Sequence, residues 1–248
     1  MKLCASRSKE SSRSDRSGTS SDLPAVLWSG DGMVSASGCY DGRVIRRSSS
    51  SSALHAVFLD RDGVLNRKLP EGQYVSAWEH FHLLPGAAEA IGKLKRSGLR
   101  VLVVSNQRGV ALGLYSAEDV DRIHAQLQKE LTAQGAQIDG FYFCPHDKNE
   151  CNCRKPLPGL FQQAQSQFPD IQPETSLMIG DSLSDIEFGR NLGMTTIFIE
   201  GDTKARENRK PGAQRAAEMA DLRFDTLLDA VDGLLGTAEE SVSAPIQR

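Results

Sequence analysis

The residues best suited to chemistry are concentrated between positions 141 and 156. There, three of the chain's five cysteines and one of its five histidines form the pattern Cys-x-His-x4-Cys-x-Cys, made by Cys144, His146, Cys151 and Cys153. Thiolate and imidazole groups are ligands that Zn2+ prefers, and four of them complete a tetrahedral shell. The pattern therefore predicts a structural zinc site that leaves no position for a reactive water.

The same residues have other interpretations. Cys151 and Cys153 are separated by one residue and not by the two of a thioredoxin-like motif, and the sequence shows no secretory context that would favour disulfides. A redox pair, a disulfide and three reduced thiols in a loop are the alternatives to zinc. Arg154 and Lys155 follow directly, so a metal loop here would hold two cations where an anion could bind.

The elements that must position these residues begin at Ala56. Apolar runs at 56–59, 101–104, 141–143, 177–179 and 195–199 predict buried strands, and helices are predicted at 87–97, from Ser116 onward, and at 157–168, 184–192 and 226–235. Continuous apolar strands that alternate with helices are typical of a parallel sheet covered on both faces. The predicted fold class is α/β, with a doubly wound, mostly parallel sheet.

In such a sheet, ligands bind at the carboxyl ends of the strands, and the residues that follow the strands here are polar or charged. In the order of the first four strands they are Asp60 and Asp62; Ser105, Asn106 and Arg108; Lys155; and Asp181 with Asp185. Each group alone is more often an ordinary turn than a site. Their succession after four strands indicates one shared site. We expect Arg61, between the first two acids, to point away from it.

Phosphoryl transfer is the reaction that needs this set of groups. A carboxylate can attack phosphorus and form an aspartyl-phosphate, and a second acid two residues away can protonate the leaving oxygen. Several carboxylates suit Mg2+, which prefers oxygen ligands, and a lysine with backbone N–H groups stabilises charge on the transferring group. The residues therefore indicate Mg2+-dependent phosphoryl transfer.

With these motifs in view, the chain resembles the haloacid dehalogenase-like phosphatases over about residues 55–235. The motifs are Asp60-Arg-Asp-Gly-Val64, Ser105-Asn106, Lys155 and Gly180-Asp-Ser-Leu-Ser-Asp185. The Cys/His pattern followed by Arg-Lys-Pro narrows the resemblance to the subgroup of heptose 1,7-bisphosphate 7-phosphatases and histidinol-phosphatase domains. It favours removal of the 7-phosphate of D-glycero-D-manno-heptose 1,7-bisphosphate. Histidinol phosphate is the alternative substrate, and a catalytically idle, zinc-organised binding module is a third interpretation.

The resemblance also implies roles for the matching residues. Asp60 would be the nucleophile, Asp62 the general acid and base, and Lys155 the group that stabilises phosphate charge. The implied Mg2+ ligands are Asp60, the backbone carbonyl of Asp62, and Asp181; the implied Zn2+ ligands are Cys144, His146, Cys151 and Cys153; the candidate substrate contacts are Ser105, Asn106, Arg108, Arg154 and Lys155. Arg108 is included for its charge, which suits a second phosphate, and a solvated surface arginine is the alternative.

Three positions depart from the pattern of the heptose enzymes. The loop between His146 and Cys151 is short, Arg108 stands where a small residue is often found, and Ser182 replaces a frequent lysine. These departures bear on the choice of substrate and not on the reaction. The segment 63–85 is too short for a separate cap domain, so we expect a flap at that place.

Composition limits the class of partner. The chain has 248 residues, of which 25% are charged, and a net charge of -3, without the basic excess of a nucleic-acid-binding protein. The serine-rich residues 1–52 predict a disordered tail, which leaves a phosphatase domain at 53–236 and a flexible tail at 237–248. No apolar run approaches ~18 residues, and the start lacks the apolar core of a secretory signal. We expect a cytoplasmic monomer that acts on a small phosphorylated sugar, without nucleic-acid or membrane partners.

Overall fold

Six strands form a single sheet in the computed structural model, which describes residues 53–70, 72–201 and 212–239. The strands are Ala56–Leu59 (β1), Arg100–Asn106 (β2), Gly140–Cys144 (β3), Ser176–Gly180 (β4), Thr195–Ile199 (β5) and Leu222–Phe224 (β6). All neighbouring strands are parallel, in the order β3-β2-β1-β4-β5-β6. The predicted fold class is confirmed. β6 was not predicted, because it has only three residues and none of them is fully buried.

Helices connect the strands and cover both faces of the sheet. They are Ala87–Arg96 (α1), Arg108–Ala111 (α2), Ala117–Ala133 (α3), Gly159–Gln167 (α4), Leu183–Leu192 (α5), Ala213–Met219 (α6) and Leu227–Glu239 (α7), with 3-10 turns at Trp78–His80 and Pro173–Thr175. The predicted start of α3 is confirmed, since Ser116 N donates to the Asp119 carboxylate and Asp119 N donates to Ser116 Oγ. The short helices α2 and α6 were not predicted.

The sheet divides the core into two layers, because successive strand residues point to opposite faces. In β1, Val57 and Leu59 belong to the layer that contains α1, α3 and α7. Ala56 and Phe58 belong to the layer that contains α4 and α5. Both faces of the strand are therefore buried, which explains why it reads as a continuous apolar run.

The strand order determines where the site forms. β1 lies between β2 and β4. The strands β2 and β3 continue the sheet on one side of β1, and β4, β5 and β6 continue it on the other, so a crevice opens at the carboxyl ends of β1 and its neighbours. Asp60 follows β1 directly, and its backbone N–H donates to the Ile179 carbonyl of β4 at 2.9 Å. Asp181 follows β4. The two acids are thereby brought to one edge of the sheet.

Residues 63–70 and 72–85 form a flap, as expected, and not a cap domain. Asn66 pairs with Asp62 and with Leu83 in isolated β-bridges, and Arg67 N donates to the His82 carbonyl at 2.8 Å. These contacts fold the segment back on itself beside the carboxyl ends of the strands.

The expected tails lie largely outside the described residues. The tail predicted at 1–52 falls there entirely, and so do residues 240–248. Helix α7 continues to Glu239, beyond the domain end expected at 236. Within the described part of the chain, no helix has the length and apolar character needed to cross a bilayer.

Candidate active site

The side chain of Lys155 lies at the centre of the site and is almost fully buried. Its Nζ lies 2.8 Å from Asp60 Oδ1 and 2.6 Å from Asp185 Oδ1, and it donates to the Val104 carbonyl at 2.7 Å. Burial disfavours the charged form, but the attraction of Asp185 and Asp60 outweighs it and raises the pKa of Lys155 above its usual value. The lysine is therefore a permanent cation between two acids.

Three carboxylates share this edge of the sheet and form the acid cluster, Asp60, Asp181 and Asp185. One carboxylate oxygen from each of them lies within 4.8 Å of the other two. Burial and repulsion from Asp185 raise the pKa of Asp60 to about 7, against the attraction of Lys155. Burial also raises the pKa of Asp181, and the positive charge of Lys68 opposes this increase. Lys68 lies on the flap, and its Nζ is 2.7 and 2.5 Å from the two carboxylate oxygens of Asp181.

The donors of the acid cluster suit Mg2+, which takes carboxylate and carbonyl oxygens. Two of the expected Mg2+ ligands, Asp60 and Asp181, belong to it, and Asp185 joins them. The backbone must pass close to Asp181, and Gly63 permits this. Its φ of 105° is in the region that favours glycine, and a Cβ there would lie 2.2 Å from Asp181 Oδ2. A divalent cation would relieve the repulsion between the crowded acids.

The Asp62 carboxylate is held by three side chains. Arg61 Nη2 donates to its two oxygens at 2.9 and 3.1 Å, while Asn66 Nδ2 and Gln107 Nε2 each donate at 3.0 Å. Burial opposes ionisation, but the charge of Arg61 and these hydrogen bonds outweigh it, so the pKa of Asp62 is lowered. The carboxylate is thus held in its ionised form.

The expectation that Arg61 points away from the acids was wrong. Its side chain is 1% exposed and its guanidinium lies against Asp62. The physical reason is that a buried carboxylate requires a cationic or hydrogen-bonding partner, and the neighbouring residue supplies both.

Ser105 and Asn106 end β2 beside Lys155. Ser105 Oγ accepts a hydrogen bond from Gln107 Nε2 at 2.6 Å, so its own hydrogen can be donated to another group. The Asn106 side chain pairs with the Lys155 backbone in both directions. It donates to Lys155 O at 3.1 Å and accepts from Lys155 N at 3.0 Å. Asn106 therefore fixes the segment that carries the central lysine.

Arg108 and Arg154, the two arginines expected to contact the substrate, form hydrogen bonds with the loop that carries the Cys/His pattern. Arg108 Nε and Nη2 donate to the Asp147 carboxylate at 2.6 and 3.1 Å, and Arg154 Nη1 donates to the His146 carbonyl at 3.4 Å. The hydrogen bond from Arg108 lowers the pKa of Asp147 to about 2. Arg108 is thus an oriented side chain and not a freely solvated one.

The four candidate zinc ligands, which define the zinc loop at 144–153, come together in one cluster. The Sγ atom of Cys151 lies 3.5 Å from that of Cys144 and 3.4 Å from that of Cys153. His146 Nδ1 lies 3.7 Å from Cys144 Sγ and 3.3 Å from Cys153 Sγ. Two sulfurs each about 2.3 Å from a tetrahedral Zn2+ would be about 3.8 Å apart, whereas a disulfide needs about 2.05 Å. The cysteines are free thiols, and their arrangement fits Zn2+.

Several site residues were not assigned a role from the sequence. Lys68 contacts Asp181 across 113 positions of sequence, and no local pattern signals such a contact. Gln107 and Tyr115 belong to a buried chain of hydrogen bonds that leads to Asp62. Gln107 was within reach of the strand-end rule, since it directly follows Asn106. Asp185 was expected to converge with the other acids, and it does so through Lys155.

Comparison with known proteins identifies the class of enzyme that the sequence motifs led us to expect. Residues 152–230 match the family described as HAD-hydrolase-like. The chain is 43% identical over 172 residues to the D-glycero-alpha-D-manno-heptose-1,7-bisphosphate 7-phosphatase of Mycobacterium tuberculosis (strain CDC 1551 / Oshkosh), a match that covers 69% of this chain and 86% of the relative. It is 37% identical over 163 residues to the D-glycero-beta-D-manno-heptose-1,7-bisphosphate 7-phosphatase of Rhodopseudomonas palustris, with 62% and 88% covered.

Solved structures agree with these relatives. The D,D-heptose 1,7-bisphosphate phosphatase from B. bronchiseptica, complexed with magnesium and phosphate, has a TM-score of 0.63 and 25% identity, and the match covers 74% of this chain and 99% of that chain. The enzyme of that name from Burkholderia Thailandensis has a TM-score of 0.51 and 26% identity, with 73% and 98% covered. Fold and relatives together define a phosphoric monoester hydrolase. The chain belongs to the haloacid dehalogenase-like phosphatases, in the subgroup of the heptose 1,7-bisphosphate 7-phosphatases, which confirms the resemblance of its motifs.

Removal of zinc should loosen the zinc loop and leave the sheet intact, because the four ligands lie within ten consecutive positions. We expect chelation, followed by return of Mg2+, to increase amide hydrogen exchange at residues 144–158 while β1 and β4 stay protected. Hydrogen-exchange mass spectrometry of the metal-loaded and chelated protein measures this difference. Global loss of protection, or unchanged exchange in the loop, would contradict a local structural zinc site.

Binding of Mg2+ should weaken as the pH falls through 7, because the proton on Asp60 must leave before the metal binds. With the pKa of Asp60 raised to about 7 in the metal-free protein, the carboxylate is mostly ionised at pH 8 and mostly protonated at pH 6. We expect the dissociation constant for Mg2+ to be about tenfold larger at pH 6 than at pH 8. Titration calorimetry at both pH values tests this, and equal constants would contradict it.

Proposed function

We propose that this enzyme removes the 7-phosphate of D-glycero-D-manno-heptose 1,7-bisphosphate in a Mg2+-dependent reaction with an aspartyl-phosphate intermediate on Asp60. The observation that carries the proposal is the contact between Lys155 Nζ and Asp60 Oδ1 at 2.8 Å. It keeps one carboxylate beside a buried cation at the edge of the sheet where ligands bind. The names of the two relatives in M. tuberculosis and R. palustris support the choice of substrate.

Asp60 would act as the nucleophile, with Oδ2 attacking phosphorus while Lys155 holds Oδ1. The bond between phosphorus and the sugar oxygen breaks as the bond to Asp60 forms. Lys155 stabilises negative charge on the phosphoryl oxygens, and the Ser105 hydroxyl donates a hydrogen bond to one of them. Both side chains are buried, so their dipole and charge act with little screening by water.

Asp62 would handle the protons in both halves of the reaction. In the first half the Asp62 carboxyl would give a proton to the departing sugar oxygen, a proton that it must gain against its lowered pKa, and the resulting carboxylate would then take a proton from the water that attacks the aspartyl-phosphate. Arg61, Asn66 and Gln107 hold the carboxylate and favour the ionised form needed in the second half. Mg2+, held by Asp60, Asp181 and the backbone carbonyl of Asp62, would offset the negative charge of acids and phosphate.

Selectivity would come from the rim, since the flap is not a cap domain. Arg108 and Arg154 are fixed to the zinc loop through Asp147 and the His146 carbonyl, and they suit the second phosphate of a bisphosphate. Zn2+ would hold this loop in place without taking part in the reaction. That the enzyme is a cytoplasmic monomer stays a prediction.

Replacement of the nucleophile should abolish turnover without unfolding the protein. We expect Asp60→Asn to lower kcat on the bisphosphate about a thousandfold or more, because a neutral amide cannot attack phosphorus. Asp170→Asn is the matched control, since Asp170 is an exposed carboxylate that pairs with Arg100 away from the site. Phosphate release measures both variants. Substantial activity of Asp60→Asn would show that the nucleophile is a different residue.

A panel of phosphate esters tests the substrate. We expect kcat/KM for heptose 1,7-bisphosphate, offered as each anomer, to exceed that for histidinol phosphate at least about a hundredfold, because Arg108 and Arg154 have no second phosphate to bind in the smaller ester. Faster release from histidinol phosphate would reverse the choice of substrate. Absence of release from every ester in the presence of Mg2+ would contradict the function as a phosphatase.

A further inference from the structure

Gln107 is buried between two groups of the proposed site. Its side-chain Nε2 donates to Asp62 Oδ2 at 3.0 Å and to Ser105 Oγ at 2.6 Å, and the residue is only 2% exposed. One amide group therefore uses both of its hydrogens on residues of two different strand ends. Its backbone N–H donates to the Cys144 carbonyl at 2.8 Å, so the residue is also tied to the start of the zinc loop.

The orientation of the Gln107 amide is determined by its neighbours. Its oxygen accepts hydrogen bonds from the Tyr115 hydroxyl at 2.8 Å and from Arg61 Nη2 at 3.2 Å. A flipped amide would place its NH2 group against Arg61, which can only donate, and its oxygen against the Asp62 carboxylate, which can only accept, so the oxygen must stay on the side where the Tyr115 hydroxyl also binds it. Gly109 allows the Tyr115 ring to come this close, since a Cβ at position 109 would lie 2.1 Å from the ring.

The fixed orientation of the Gln107 amide has one consequence for Ser105 and another for Asp62. Ser105 Oγ acts as an acceptor towards Gln107, so its hydrogen is available for an anionic oxygen of the substrate. Asp62 Oδ2 is held by the same NH2 group, so the carboxylate keeps its position relative to the leaving oxygen. We infer that Gln107, oriented by Tyr115, is a positioning residue that aims both the acid–base carboxylate and the phosphate-binding hydroxyl. This inference rests on the proposed function of Asp62.

Substrates with different leaving groups separate positioning from a merely structural role. A sugar alkoxide needs a proton from Asp62 to depart, whereas p-nitrophenolate is a stable anion and departs without one. The value of kcat/KM reports the steps up to this departure. A defect in the aim of Asp62 should therefore slow the heptose bisphosphate much more than p-nitrophenyl phosphate. The loss of Ser105 orientation should slow both substrates alike.

Two variants carry the test. Gln107→Met keeps the volume of the side chain and removes its four hydrogen bonds, and we expect kcat/KM to fall about a hundredfold for the heptose bisphosphate and less than about tenfold for p-nitrophenyl phosphate. Tyr115→Phe removes only the hydroxyl that orients the amide. For this variant we expect kcat/KM to fall about five- to tenfold for the heptose bisphosphate and less than about twofold for p-nitrophenyl phosphate.

Tyr142→Phe is the matched control. The Tyr142 hydroxyl also donates to a glutamine oxygen, that of Gln167 at 2.7 Å, and Tyr142 and Tyr115 are similarly buried, at 9% and 8% exposed. Both tyrosine variants lose one Tyr–Gln hydrogen bond, a buried one in Tyr115→Phe and a part-buried one in Tyr142→Phe, so we expect both to lower the melting temperature and Tyr115→Phe to lower it more. Only Tyr115→Phe should change the ratio of kcat/KM between the two substrates.

The outcomes distinguish this inference from the function on which it rests. If the wild type is active and the Gln107 and Tyr115 variants lose equal factors on both substrates, or lose nothing, Gln107 does not aim Asp62 and the inference is overturned. If Gln107→Met fails to fold, the ratio measured for Tyr115→Phe against Tyr142→Phe still decides. If the wild type releases phosphate from neither substrate in the presence of Mg2+, the proposed function itself is overturned.

Discussion

The buried ammonium of Lys155 makes the rest of the site possible. Asp60, Asp181 and Asp185 each place one carboxylate oxygen within 4.8 Å of the other two, and like charges at that distance repel strongly in a buried environment. Lys155 binds two of the three acids, and Lys68 binds the third. Removing one partner from such a buried pair typically costs about 3–5 kcal/mol, because a charge is left without a counter-charge.

Two other parts of the chain help to fix the position of Lys155. The Asn106 side chain pairs with the Lys155 backbone, and the zinc loop immediately precedes it. Zn2+ bound by the four ligands at 144–153 would limit where residues 154 and 155 can lie. The proposed zinc and the proposed chemistry are connected in this way through one short piece of chain.

The sequence was sufficient for much of this architecture because its strongest signals are local. Both faces of β1 are buried, so its apolar run was unambiguous, and the rule that ligands bind at strand ends placed Asp60, Lys155 and Asp181 together. The position of Arg61 was not predictable in this way, since its direction depends on a buried partner and not on strand alternation. Gln107 was visible at the strand end, but the orientation of its amide depends on Tyr115 and Arg61. The contact between Lys68 and Asp181 was not predictable either, because it depends on the path of the flap.

In the proposed mechanism the phosphoryl group must pass through Asp60. Rapid quenching of the wild-type enzyme with heptose 1,7-bisphosphate and Mg2+, followed by mass spectrometry of the peptides, measures this directly. We expect one phosphoryl group on the peptide that contains Asp60, located on the Asp60 carboxylate and absent from Asp60→Asn. Turnover with a phosphoryl group on another residue, or with no phosphorylated peptide under conditions where the intermediate accumulates, would contradict it.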